Sequence, residues 1–163
     1  MQLNLTTDYA IRSILYLTIK GPMASAPEIA EQMHIPRQYL TTMARRLKDA
    51  GLIGAQGGKH GGYYLARPAK DITLLDVIRA MEGTIQLNRC LEHDRYCSRF
   101  ATENCPVREV YVSLQSTVED FLGSVTMADL QNKLSEKELL AVRAGAAVEG
   151  TDAKDLNPPK EGG

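Results

Sequence analysis

The 163-residue sequence predicts a mainly α fold with a small β-hairpin, organised as a winged helix-turn-helix domain plus a long dimerisation helix. Three observations carry this. Apolar residues recur at helical spacing in segments that begin with capping residues and end in glycine. Two short strand-like runs, Leu52–Gln56 and Tyr63–Ala66, flank the glycine-rich turn Gly57-Gly58-Lys59-His60-Gly61-Gly62. From Pro106 to about Leu122 a three-and-four-spaced apolar stripe (Val107, Val110, Tyr111, Leu114, Val118, Phe121) runs without a break.

The elements follow in order. Thr7 is placed to cap a first helix running to about Lys20, with Ile11, Ile14, Leu15 and Ile19 on one face, and Gly21-Pro22 stops it. Ser25-Ala26-Pro27-Glu28 reads as a capping box with proline in the first turn, opening a short helix that bears Ile29, Ala30 and Met33. His34-Ile35 makes a tight turn. Pro36 starts a third helix with Leu40, Met43, Ala44 and Leu47 facing inward, and Gly51 ends it. After the hairpin, Thr73 caps a helix with Asp76 as its reciprocal partner; Leu74, Val77, Ile78 and Met81 are there for burial and Gly83 closes it. Residues 84–105 lack helical periodicity. The helix from Pro106 spans roughly 25 Å at 1.5 Å per residue. Its stripe finds no partner of equal length in the chain, which calls for a second copy across a two-fold axis. Thr126–Leu130 forms one more turn, Ser135–Val148 a further helix, and from Glu149 the composition reads as a disordered tail.

Composition is that of an ordinary globular chain, 44% hydrophobic and 24% charged. The apolar positions from Ile11 to Ile19 are interrupted by Arg12, Ser13 and Thr18, so neither a signal peptide nor a membrane span is expected and the reading is cytoplasmic. The net charge of −1 hides an asymmetry. Residues 1–70 carry nine Lys and Arg against four Asp and Glu, a net of +5, while residues 71–163 carry ten against sixteen, a net of −6. A basic first half joined to an acidic second half fits a nucleic-acid-binding module followed by a sensing or assembly module.

Three short helices and a two-stranded hairpin stand in the order of a winged helix-turn-helix. The third helix carries the argument. Opposite its apolar stripe lie Gln38, Thr41, Thr42 and Arg45, also at i, i+3, i+4, i+7, with side chains suited to hydrogen-bonding base edges in a major groove. Tyr39, on the same helix, is a further DNA-binding candidate. Arg37, Arg46 and Lys48 flank the polar stripe and are candidates for neutralising phosphates. A solvated helix face ordinarily mixes charges, whereas this helix has no acidic residue from Arg37 until Asp49. The start of the second helix, near Ser25 and Glu28, is expected to cross the DNA backbone and offer amides to a phosphate. Lys59 and His60 sit at the hairpin tip, where a wing enters an adjacent minor groove.

Cys90, Cys97 and Cys105 are the three cysteines, spaced C-x6-C-x7-C within the aperiodic loop. An odd, clustered set argues against a secreted disulfide scaffold and for metal binding or redox response. Thiolates suit iron–sulfur clusters, zinc or copper(I), and the spacing is wider than the C-x2-C knuckles of structural zinc sites. Free thiols, or a regulatory disulfide with one cysteine left over, stand beside those options. Enzymatic function is not expected: there is no Ser–His–Asp arrangement, Walker loop or dinucleotide fingerprint, and the glycines at 57–62 follow a strand without opening a helix.

From Met1 to about Phe121 the chain resembles the family of iron–sulfur winged-helix regulators that includes IscR and NsrR. The landmarks are Leu5-Thr6-Thr7-Asp8-Tyr9-Ala10, Ile29-Ala30, Tyr39-Leu40, Leu47 and Gly51-Leu52-Ile53. The wing Gly61-Gly62-Tyr63-Tyr64-Leu65-Ala66-Arg67-Pro68 follows, then Ile72-Thr73-Leu74, Asp76-Val77-Ile78 and Glu82-Gly83. The resemblance implies a homodimer on a palindrome-like double-stranded DNA operator and an iron–sulfur cluster, 2Fe–2S or 4Fe–4S, held by Cys90, Cys97 and Cys105. The cysteine intervals are wider than the x5 spacing common in that family, which bears on cluster type. The fourth ligand of some members, a histidine three positions after the last cysteine, is replaced here by Arg108. Others use an acidic residue early in the first helix, contributed across the dimer; Asp8 fits that position, and a first-turn acidic residue also suits the helix dipole. His93, inside the loop, is a weaker alternative.

The expected organisation is therefore a DNA-binding domain over residues 1–83, a cluster-binding loop over 84–105, a dimerisation helix over 106–130 and a C-terminal extension over 131–163. The expected function is a homodimeric regulator whose operator binding follows the state of a cluster that senses redox, nitric oxide or iron–sulfur status. The alternative is a cluster-free regulator switched by thiol oxidation or a small effector.

Overall fold

A computed structural model describes residues 3–58, 60–99 and 103–145. Its elements are seven helices and one hairpin among those residues: α1 Leu5–Lys20, α2 Ala26–Gln32, α3 Arg37–Asp49, β1 Ile53–Gln56, β2 Gly62–Leu65, α4 Leu74–Glu82, α5 Pro106–Ser124, α6 Met127–Asn132 and α7 Glu136–Ala144. The order is that of a winged helix with a long helix and two short ones appended.

Helix α1 begins earlier than Thr7. Asn4 is its N-cap and accepts from the Thr7 amide at 3.0 Å, while the fully buried Thr7 hydroxyl turns inward to the Glu82 carboxylate. A side chain drawn into the core cannot also cap the helix end, so the cap passes to the exposed residue three positions back. The single-face expectation for α1 also gives way. Tyr9, Ala10, Ile14, Tyr16, Leu17 and Ile19 are buried around most of its circumference, and Ile11 and Leu15 only in part. The reason is that α1 is the hub of the fold, with α3 and α4 packed on one side and α6 and α7 on another.

Helices α2 and α3 form as their caps dictate. Ser25 and Glu28 close a capping box, and α2 ends at a turn in which His34 takes a left-handed φ of 51°. The buried Ile35 then leads through Pro36 into α3, whose Leu40, Met43, Ala44 and Leu47 face α1. Ala50 is the C-cap, and Gly51 follows at φ +68°. The hairpin pairs Ile53 with Leu65 and Gln56 with Gly62. It is tied to the α1–α2 connection by a bridge between Ala24 and Tyr63, with reciprocal bonds of 3.0 and 2.8 Å. Glycine is required at 62 because a Cβ there stands 2.3 Å from the Ala24 carbonyl oxygen.

Thr73 and Asp76 cap α4 as expected, and a bridge between Thr73 and Thr126 brings the chain after α5 back beside it. Met127 seals that junction fully buried. Helix α7 stops at Gly145 in the left-handed conformation (φ +72°), shorter than the run to Val148 that the sequence predicts. It docks on α1 through buried Val142 and a bond from Arg143 to the Ile19 carbonyl. The expected tail from Glu149 lies outside the described residues. No helix among the described residues is long and apolar enough to cross a membrane.

Candidate nucleic-acid interface and cysteine loop

With its apolar stripe sunk into α1, α3 turns its other face out of the molecule. Arg37, Gln38, Thr41, Thr42, Arg45 and Lys48 are all exposed. Arg45 is held only loosely, 3.9 Å from Asp49 at the helix end. A shallow groove lined by Thr41, Arg45, Lys48, Ala55 and Tyr63 separates this face from the hairpin, so helix and wing flank a common edge. His60 is exposed at the hairpin tip, and Lys59 lies outside the described residues.

Three residues expected at this interface have other partners. The Ser25 hydroxyl accepts from the Glu28 amide at 3.3 Å and is engaged in capping α2. Tyr39 is half-buried with its ring 5.6 Å from that of Tyr9, part of the packing between α3 and α1. Arg46 is exposed, and its guanidinium donates to the Met81 carbonyl at the end of α4, at 2.5 Å. That carbonyl belongs to the last turn of a helix, which has no intrahelical donor for it, and a cation there also meets the negative end of the helix dipole.

Behind the interface, Tyr16, Lys20 and Glu28 form a polar knot between α1 and α2. The Tyr16 hydroxyl donates to Glu28 at 2.9 Å and Lys20 pairs with the same oxygen at 3.0 Å. Burial, reinforced by the Glu28 charge, pushes the Tyr16 phenol far up, so it stays a donor. Burial alone would raise Glu28, but the bonds from Lys20, Tyr16 and the Ser25 amide outweigh it and hold the carboxyl below its ordinary range.

The cysteine loop leaves α4 at Gly83, buries Ile85, makes a 3₁₀ turn at Arg89–Leu91 and reaches α5 at Cys105, which is the N-cap of that helix. Cys90, Cys97 and Cys105 are each part-exposed, and Cys90 and Cys105 are free thiols. Residues 100–102 lie outside the described residues. Among the described residues no three His, Cys, Asp or Glu side chains come together as a metal requires. By donor type the loop suits a thiolate-held group; by placement, a single chain does not bring its three cysteines together. Asp8 sits in the first turn of α1, ion-paired with Arg12 one turn on. His93 is exposed near Glu92 and Asp94.

The structure adds residues that the sequence reading did not single out. Gln115, buried on α5, accepts from the Leu87 amide at 2.9 Å and donates to the Ile85 carbonyl and to Glu119. Glu119 in turn pairs with Arg79 of α4 at 2.8 Å. Arg108 donates to the Cys90 carbonyl at 3.2 Å. These contacts clamp the loop to α5. Apart from the bond between Gln115 and Glu119 one turn on, no local pattern announces them, because the partners lie 18 to 40 residues apart. Beside them Leu3, Ile78, Ile85, Val118, Phe121 and Leu122 line an apolar groove of about 380 Å³. On α5 itself Val107, Val110, Leu114 and Phe121 are exposed by 49% to 66%.

A hairpin-flanked helix with a cationic, hydrogen-bonding outer face defines a winged-helix transcription regulator. The chain belongs to the Rrf2 family, described as iron-dependent transcriptional regulators, whose model matches residues 3–133. An HTH-type transcriptional regulator of Aquifex aeolicus is 31% identical over 138 residues, covering 84% of this chain and 95% of that protein. Among solved structures, CymR, the global cysteine regulator of B. subtilis, superposes with a TM-score of 0.69 at 26% identity, covering 83% of this chain and 99% of its own. IscR of T. potens does so with a TM-score of 0.65, also at 26% identity, covering 85% and 91%. The family's members are regulators and not enzymes, in line with the sequence reading.

Proposed function

We propose that this regulator acts in the cytoplasm as a homodimer on a palindrome-like DNA operator, reading bases with α3 and signalling through the cysteine loop. The observation that carries the DNA reading is the outer face of α3, where Gln38, Thr41, Thr42 and Arg45 stand exposed between Arg37 and Lys48 with no acidic side chain before Asp49. Bidentate or paired hydrogen bonds from such side chains discriminate bases, and the flanking cations neutralise phosphates. His60 and Lys59 are assigned to the wing contact. Dimerisation is assigned to α5, whose Val107, Val110, Leu114 and Phe121 stand exposed instead of packing within the chain.

The loop is assigned an iron–sulfur cluster, 2Fe–2S or 4Fe–4S, with Cys90, Cys97 and Cys105 as thiolate ligands and Asp8, contributed across the dimer, as the fourth. Such a cluster supplies a redox- and nitric-oxide-sensitive group. The chain's own part is to deliver three thiolates from a segment already pinned at Cys90 by Arg108 and at Leu87 by Gln115. Holding it requires residues 90–105 to close up, and requires Asp8 to exchange Arg12 for a ligand position.

A second reading keeps the dimer and the DNA and makes the cysteines a cluster-free thiol switch. It is favoured by the separation of the potential ligands within one chain and by the likeness to the cysteine regulator of B. subtilis. One experiment decides between the two. Protein purified anaerobically is assayed for iron, sulfide and visible absorption, alongside Cys97→Ala and Asp8→Ala. Iron and sulfide with broad visible absorption that disappears in Cys97→Ala supports the cluster, and an altered spectrum in Asp8→Ala supports the fourth ligand. Colourless protein that resists reconstitution yet changes DNA affinity on thiol oxidation supports the switch.

A further inference from the structure

Helix α3 packs on α1 through its apolar stripe, and one charged side chain, Arg46, ties it to the end of α4. Arg46 extends from the edge of the recognition helix to the Met81 carbonyl in the last turn of α4. The next residue, Glu82, accepts from the Asn4 amide at 3.0 Å and the Asn4 side chain at 2.9 Å, and from the Thr7 hydroxyl, so it fixes the start of α1 just before Asp8. Gly83 then turns the chain at φ +77°, and within four residues Gln115 grips Ile85 and Leu87 against α5. Three residues further on, Arg108 holds the Cys90 carbonyl. The last turn of α4 is thus where the recognition helix, the Asp8 end of α1 and the root of the cysteine loop meet.

We infer that Arg46 is a positioning residue for DNA binding. It sets the pose of α3 against the end of α4 and carries changes in the cysteine loop to the DNA-binding face; that second role rests on the loop being the sensor. The geometry follows from two facts already described. An α-helix leaves its final carbonyls without partners, and a guanidinium is a planar, permanently charged donor able to tie one down from a neighbouring helix. Packed helices move as rigid bodies with discrete arrangements, so a polar tie at the crossing decides which arrangement is occupied. Arg37, Arg45 and Lys48, on the same helix, have no such tie to α4 among the bonds described and are left for phosphate or base contact.

The two roles open to Arg46 differ in their response to salt. A side chain that neutralises a phosphate contributes about 0.9 to the slope of log affinity against log salt concentration. A positioning residue contributes to affinity and leaves that slope alone. The test measures binding of the intact protein to a fluorescent duplex across a salt series, for wild type, Arg46→Met, Arg46→Lys and Lys48→Met, with thermal melting to verify folding. Arg46→Met is expected to weaken binding by about tenfold, the weight of a charge-assisted hydrogen bond, with the slope unchanged. Lys48→Met is expected to lower the slope by about 0.9. Arg46→Lys keeps the charge but replaces the planar guanidinium by an ammonium on a stem one bond shorter, so it is expected to weaken binding as the methionine does. Should the methionine variant fail to fold, the lysine variant alone decides. A slope lowered in Arg46→Met, or wild-type affinity in Arg46→Lys, overturns the proposal and returns Arg46 to the phosphates.

The coupling arm compares each protein before and after alkylation of its cysteines with iodoacetamide. Alkylation is expected to change wild-type affinity and to leave the Arg46→Met affinity nearly unchanged. A wild type indifferent to alkylation removes the sensor role of the loop, while the salt slopes still judge Arg46. An equal alkylation response in both proteins removes the coupling role alone.

Discussion

Polar residues in this chain divide into those that hold elements together and those that remain for a ligand, and the division is visible at single side chains. Glu28 shows the first kind. Its carboxyl is held below the ordinary range by Lys20, Tyr16 and the Ser25 amide despite burial. A carboxylate whose folded pKa is lowered stabilises the fold above its unfolded value, about 4.3, and loses that contribution as pH falls through the folded value. Glu28→Gln is therefore expected to lose about 1 kcal/mol of stability at pH 7, discounted for its partial exposure. That deficit is expected to shrink below about pH 4.3, checked by chemical denaturation of both proteins across pH. Gly62 is the steric counterpart. A methyl group there meets the Ala24 carbonyl at 2.3 Å, so Gly62→Ala is expected to cost about 1–3 kcal/mol through loss of the bridge that seats the wing. A lowered melting temperature, with larger loss of hydrogen-exchange protection at Ala24 and Tyr63 than in α1, is the outcome that checks it.

At the scale of elements, two helices do unlike work. Helix α1 is buried nearly all round, while α5, 19 residues long, has Gln115 as its one buried residue. The one buried side chain of α5 is polar, while Val107, Val110, Leu114 and Phe121 are left exposed, unlike a helix that buries its apolar stripe in its own chain. Placing a charge on that outer face is expected to dissociate the proposed dimer: Val110→Glu with Phe121→Glu is expected to sediment as a monomer with its helix content retained. A wild type that is itself monomeric at micromolar concentration removes the assignment of dimerisation to α5. The hairpin makes a smaller, separable contribution. His60→Ala is expected to weaken DNA binding by a few-fold through the wing, with no change in thermal stability, because the side chain is exposed.

For the whole molecule, charge divides the chain as its elements do. The basic first half carries α3 and the wing, and the acidic second half carries the cysteine loop and α5. The halves meet where α1 packs on α4, α6 and α7, and Arg46 and Glu82 tie α3 and the start of α1 to the last turn of α4. If the loop holds a cluster, removing iron with a chelator is expected to change DNA affinity in the wild type and leave Cys97→Ala unaffected, read by duplex binding before and after treatment.

Much of this was legible in the sequence because it is local. Capping boxes at Ser25 and Thr73, the glycine after α3, the proline opening α5 and the paired strands around 57–62 each depend on residues within a few positions of one another. The polar face of α3 was legible for the same reason: helical periodicity alone assigns Gln38, Thr41, Thr42 and Arg45 to one side. What tertiary structure decided was the use of side chains whose partners lie far along the chain. The bond from Arg46 to the α4 carbonyl has no counterpart in the local pattern of a basic helix, and Thr7 read as a cap until Glu82 drew it inward. Periodicity specifies which face of a helix a residue occupies; only packing specifies which of the polar groups on that face meets an unpaired partner from another element, and burial makes that meeting obligatory.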